Sequence, residues 1–168
     1  MSKTFVIADT HFGDKNIIMF ESRPFANTKE MDDELIKRWN DTVTPNDSIF
    51  VLGDFISCLD KEYAEGIVKA LNGKITLVVG NHDTDLPLLT RLGIIVYKYP
   101  IIVDSFWMMS HEPLYITTNS PYANIFGHIH NNPAYKTVSE RSYCVSVERI
   151  NYTPILLNEV KERVIACC

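Results

Sequence analysis

Five short apolar runs in this chain stop in the same way, at residues able to bind a metal ion. Thr4 to Ala8 stops at Asp9-Thr10-His11, and Ser48 to Leu52 stops at Gly53-Asp54. Lys74 to Val79 stops at Gly80-Asn81-His82-Asp83. Phe106 to Met109 stops at Ser110-His111, and Ala123 to Phe126 stops at Gly127-His128-Ile129-His130. Short apolar runs bounded by polar residues read as buried strands. In open α/β sheets, ligands gather beyond the carboxyl ends of strands. All 5 histidines of the 168 residues lie at such ends.

The segments between the first three runs supply helices. Asn27 followed by Glu30 resembles a capping box, and apolar residues at 31, 35, 36 and 39 keep helical spacing. Asp60 to Leu71 reads as a second helix, stopped by Asn72-Gly73. Strand, helix, strand, helix, strand implies an α/β fold with parallel core strands. Ile94 to Tyr99, Ile101 to Val103 and Tyr143 to Val147 add further strands, close enough for some antiparallel pairing. Asn158 is expected to cap a final helix through Ala166. There is no repeat or linker, so residues 1–168 are expected to form one domain.

A net charge of −5 argues against a basic surface that grips nucleic acid. The first apolar piece is too short for a signal-peptide core, and no segment approaches the roughly 18 apolar residues of a membrane span. The 4 cysteines show no CxxC or other zinc spacing, and Cys167-Cys168 reads as a frayed end. The expected location is a reducing cytoplasm.

Residues i and i+2 of an extended segment point the same way, so Asp9 with His11, and His128 with His130, can each face one site. The glycines at 53, 80 and 127 let the backbone turn sharply. Imidazole, carboxylate and one amide, without thiolate, suit Mn²⁺, Fe, Zn²⁺, Ni²⁺ or Co²⁺. The donors are too many for one ion. Two ions about 3.5–4 Å apart would use them all.

The ordered set Asp9-Thr10-His11, Gly53-Asp54, Gly80-Asn81-His82-Asp83, His111 and Gly127-His128-Ile129-His130 resembles the calcineurin-like metallophosphoesterase superfamily. The resemblance spans residues 9 to 130. It implies a four-layer α/β/β/α sandwich, two mixed β-sheets flanked by helices. It also implies two divalent metal ions, with Mn²⁺ first among the candidates. Asp9, His11, Asp54 and His130 would hold one ion. Asp54, Asn81, His111 and His128 would hold the other. A metal-bridging hydroxide would attack the phosphorus, and two ions, two carboxylates and that hydroxide would leave a formal charge of about +1. His82 would contact the phosphate beside Asn81 and protonate the leaving group, with Asp83 orienting it.

Arg23, after the first loop, reads either as a bidentate phosphate clamp or as a surface arginine beside a turn. Lys15 and Asn16 read as surface residues. Many relatives carry Asn or His where this chain has Asp14, and an acid there is expected to face away from phosphate. Phe106 to Met109 reads as a buried strand rather than an aromatic platform. Protein Ser/Thr phosphatases carry GDxVDRG, but here the piece is Gly53-Asp54-Phe55-Ile56-Ser57-Cys58, without the arginine. The expected activity is hydrolysis of a small phosphodiester or phosphomonoester, with a nucleotide-like substrate in range. The weighed alternatives are a non-catalytic scaffold of the same fold and a nuclease, the latter disfavoured by size and charge.

Overall fold

The computed structural model describes residues 2–58, 60–117, 119–133 and 139–165. Its first strand, β1 (Thr4–Ile7), shows how the layers arise. Side chains alternate across a strand. Phe5 and Ile7 pack into a core shared with helices, while Val6 and the following Ala8 pack into a core shared with a second sheet. β2 (Ser48–Leu52) and β3 (Lys74–Val78) repeat this, with Ile49, Val51, Ile75 and Leu77 on one side and Leu52 and Val78 on the other.

The helices are α1 (Lys15–Phe20), α2 (Thr28–Thr42), α3 (Lys61–Ala70), α4 (Leu86–Arg91) and α5 (Leu157–Ile165). α2 starts where Asn27 accepts from the Glu30 N–H at 3.0 Å, while Glu30 accepts from the Ala26 N–H at 2.9 Å. It buries Met31, Leu35 and Trp39, a stripe at helical spacing. α3 starts at Asp60, whose carboxylate accepts from the Glu62 and Tyr63 N–H groups. Gly73 follows in the left-handed region (φ +93°). α1 and α4 lie where no helix was expected, and six residues each is too short to display a period. α5 begins at Leu157, so Asn158 lies inside the helix and does not cap it. Ala166, Cys167 and Cys168 lie outside the described residues.

The remaining strands are β4 (Ile95–Tyr97), β5 (Ile101–Val103), β6 (Trp107–Met109), β7 (Ala123–Phe126), β8 (Ser142–Cys144) and β9 (Ile155–Leu156). One sheet runs β4-β3-β2-β1-β9 and the other β5-β6-β7-β8. β1, β2, β3 and β4 are parallel, with β9 antiparallel at the edge. β6, β7 and β8 are parallel, with β5 antiparallel. Val147 was expected to extend β8, but it opens a 3₁₀ turn, Val147–Arg149. Trp107 and Met109 are buried in the core between the sheets, as a strand reading requires. α5 adds Leu157, Val160 and Val164 to that core. The result is the expected α/β fold, two mixed sheets with flanking helices. Parallel order brings the carboxyl ends of β1, β2, β3, β6 and β7 to one rim.

Candidate metal centre

The ladder between β1 and β2 continues past both strands. Asp9 N–H donates to Gly53 O at 3.0 Å, and His11 N–H donates to Asp54 O at 2.9 Å. Asp9 and His11 therefore lie beside Asp54. On the second sheet, the Gly127 N–H donates to His111 O at 2.9 Å, which sets the histidines after β7 beside the one after β6. The His128 N–H donates to both Asp9 oxygens, at 3.0 and 2.9 Å, and joins the two groups.

The backbone here is not the extended chain that the i, i+2 spacing suggests. Asp9, His11, Asp54, His128 and His130 all have positive φ, between 45° and 71°. Left-handed backbone at a residue with a side chain costs about 1–3 kcal/mol, and such residues cluster at functional sites. The pairs do converge, but through turns, with Thr10 and Ile129 buried between them. Two glycines are demanded by close approach. A Cβ on Gly53 would lie 2.2 Å from His111 Nδ1, and one on Gly80 would lie 2.3 Å from Asp54 Oδ1.

Asp54 is at the centre. Its Oδ1 accepts from the His82 N–H at 2.8 Å. Its Oδ2 lies 3.3 Å from His11 Nε2 and 3.4 Å from His111 Nε2. Burial opposes ionisation of Asp54, but His11, His111 and the His82 N–H together hold its pKa at about 2. Asp9 is fully buried, and that burial pushes its carboxyl upward against the attraction of His130 and His111. Asp9, His11 and His130 bring one donor atom each within 4.8 Å of one another, and so do Asp9, Asp54 and His111.

Nitrogen and oxygen donor atoms crowd together here. His111 Nδ1 lies 2.9 Å from Leu52 O, which can only accept, so that nitrogen carries the proton. In the neutral ring, Nε2 then presents a lone pair to Asn81 Oδ1 at 2.9 Å and to Asp54 Oδ2. His128 Nδ1 joins them, 3.1 Å from both His111 Nε2 and Asn81 Oδ1. His11 Nε2 is buried with no hydrogen-bond partner. Imidazole nitrogens, carboxylates and an amide oxygen converging this closely, with one buried nitrogen left unpartnered, fit a cation between them.

His11, Asp54, Asn81, His82, His128 and His130 line one cavity of about 580 Å³. The His82 ring lies 5.3 Å from the His11 ring and is exposed to the cavity. Asp83 does not orient it. The Asp83 carboxylate accepts from the backbone N–H groups of Gly80, Asp54 and Phe55, at 2.7 to 3.0 Å, and so pins the loops that carry Asp54 and Asn81. Arg23 matches neither sequence reading. It is 4% exposed, and its guanidinium is spent on Glu148 and on the carbonyls of Asp9 and Thr10. It does not reach the cavity as a phosphate clamp. Asp14 does line the cavity, where it caps α1 through the Asn16 N–H, and Asn16 lines it too. Glu148, beside His130, and Glu21, on the cavity wall, belong to no motif and carried no signal in the sequence.

No helix among the described residues is long and apolar enough to cross a membrane. The chain is 37% identical over 164 residues to the uncharacterized protein MJ1445 of Methanocaldococcus jannaschii, covering 94% of this chain and 89% of that one. It is 34% identical over 91 residues to the gene 66 protein of Mycobacterium phage L5, covering 52% of this chain and 43% of the phage protein. Its fold is similar to that of AQ665 from Aquifex aeolicus, a protein of unknown function, with a TM-score of 0.79 and 26% identity over 96% of this chain and 99% of that one. A Pseudomonas putida nuclease, MPE, shares the fold at a TM-score of 0.52 and 22% identity, over 76% of this chain and 60% of the nuclease. The model of the calcineurin-like phosphoesterase family matches residues 2–153, and the chain belongs to that family.

Proposed function

We propose that residues 1–168 form one domain, a metal-dependent phosphoesterase that uses two divalent ions, Mn²⁺ first among them. The observation that carries the reading is the position of Asp54 Oδ2, 3.3 and 3.4 Å from two imidazole nitrogens that follow strands of different sheets. One oxygen so placed suits a carboxylate shared by two ions. Asp9, His11, Asp54 and His130 would hold one ion, and Asp54, Asn81, His111 and His128 the other. When bound, the ions would lower the pKa of water and offset charge on phosphoryl oxygens.

The chain's own residues do the rest. Asn81 and His82 face the cavity and would meet the phosphate. The His82 imidazole, on the rim, would pass a proton to the departing oxygen. The cavity wall carries Asp14, Glu21 and Asp54 and, among its described lining residues, no Lys or Arg. Attraction for phosphate must then come from the ions. Such a wall suits a small ester, nucleotide-like substrates included, better than a polyanion. Cys58 and Cys144 are free, in keeping with a reducing cytoplasm.

The test is a metal screen. Protein loaded with Mn²⁺, Ni²⁺, Co²⁺ or Zn²⁺ is assayed on bis-p-nitrophenyl phosphate, p-nitrophenyl phosphate, cyclic nucleotides and single-stranded DNA. Turnover of a small ester with at least one metal is expected. Inactivity with all four would leave a scaffold of the same fold, and cleavage of DNA alone would make it a nuclease.

A further inference from the structure

Arg23 and Glu148 meet at one buried point although 125 residues separate them. Arg23 Nε and Nη2 donate to Glu148 Oε1 at 2.9 and 2.7 Å, and the two side chains are 0% and 4% exposed. A buried ion pair is poor evidence of stabilisation, since apolar residues of similar volume often serve as well. Each partner, however, makes a second set of bonds, and both sets lead to the metal-binding cluster.

Arg23 Nη2 donates to Asp9 O at 2.7 Å, and Nη1 donates to Thr10 O at 2.9 Å. Glu148 receives His130 Nδ1, which lies 3.1 and 3.2 Å from its two oxygens. A ring nitrogen facing a carboxylate carries the proton, so Nε2 is left as the lone-pair donor. The 3₁₀ turn that bears Glu148 is tied to the same two loops. The Val147 N–H donates to Ala8 O at 3.1 Å, and Arg149 Nε donates to His130 O at 2.5 Å. Neither partner of the pair bonds to Asn81, His111 or His128.

We infer that Glu148, held by Arg23, is the positioning residue of His130, and that it acts on the Asp9–His11–His130 site more strongly than on the other. The inference rests on the two-ion reading above. It predicts an asymmetric effect that a merely structural pair would not give. Loss of a partner that orients a metal-bound histidine weakens metal binding by about 10–100-fold.

The experiment is calorimetric titration of metal-free protein with Mn²⁺, alongside thermal melting of the metal-free forms. The wild type is expected to take two ions. Glu148→Gln is expected to keep one at wild-type affinity and to bind the other at least tenfold more weakly. Should Glu148→Gln fail to fold because Arg23 is left unpaired, Arg23→Met with Glu148→Leu removes both charges and is expected to show the same split. Two ions bound as tightly as in the wild type, or both weakened equally, would overturn the proposal. So would loss of the fold in both variants, which would make the pair structural. A third tight ion in the wild type that Glu148→Gln loses would make Glu148 a ligand, with Glu21 and His130, rather than a positioning residue. Fewer than two ions in the wild type would instead overturn the two-ion reading itself.

Discussion

His82 and Asp83 are neighbours in the chain with separate tasks. The His82 ring faces the cavity, while the Asp83 carboxylate collects three backbone N–H groups from two loops. Their substitutions should therefore fail differently. His82→Ala is expected to keep the fold and to lose most rate on esters with poor leaving groups, because a proton donor matters most there. Asp83→Asn is expected to lose about 1.5–3 kcal/mol of stability, the worth of hydrogen bonds to a charged acceptor, and to slow all substrates alike. Leaving-group series for both variants, read with their melting curves, separate the two. A flat loss across leaving groups in His82→Ala would make that residue a binder of phosphate rather than an acid. At this scale the candidate donors were legible in the sequence, because imidazoles and carboxylates at strand ends have few other reasons to gather. The task of Asp83 was not, because an acid beside a histidine gives no sign of which way it turns. Nor was that of Glu148, whose partners lie 18 and 125 residues away.

Among the elements, α2 reaches the site's first loop through one buried acid. Its Asp32, 1% exposed, accepts from the Gly13 N–H at 3.0 Å and from the Tyr63 hydroxyl at 2.6 Å, and so ties α2 and α3 to the loop after His11. Its Oδ1 has no partner. Burial pushes the Asp32 carboxyl up to about 6 from its ordinary 3.8, against the hydrogen bonds of Tyr63 and Gly13. Between these values the folded state holds a proton that the unfolded state has released, so stability falls as pH rises. The gap corresponds to about 3 kcal/mol, fully expressed above pH 6. Melting temperature followed from pH 4 to 7 should fall less in Asp32→Asn than in the wild type. Equal slopes would mean that Asp32 titrates as an ordinary surface acid. β1, β2, β3, α2 and α3 were readable because each buries a run or a stripe with an end marked by a cap, a glycine or a polar residue. α1, α4 and the two-residue β9 were not, since tertiary contacts rather than periodicity define them. The second sheet was readable strand by strand, but its mostly parallel pairing was not, because pairing is decided between distant segments.

For the whole molecule, charge sets the terms. The chain carries −5, and its cavity wall is acidic, yet the family acts on phosphate esters. On the proposed reading, two divalent ions would reverse the sign at one place and leave the acidic remainder unattractive to polyanions. Catalysis should then depend on both ions, a lone ion leaving three of the seven proposed donor residues unused. The decisive measurement is hydrolysis of bis-p-nitrophenyl phosphate by metal-stripped protein as Mn²⁺ is added in equivalents. The two-ion account predicts negligible turnover up to one equivalent and a rise that saturates at two. Full turnover in the stripped protein, or saturation at one equivalent, would contradict it.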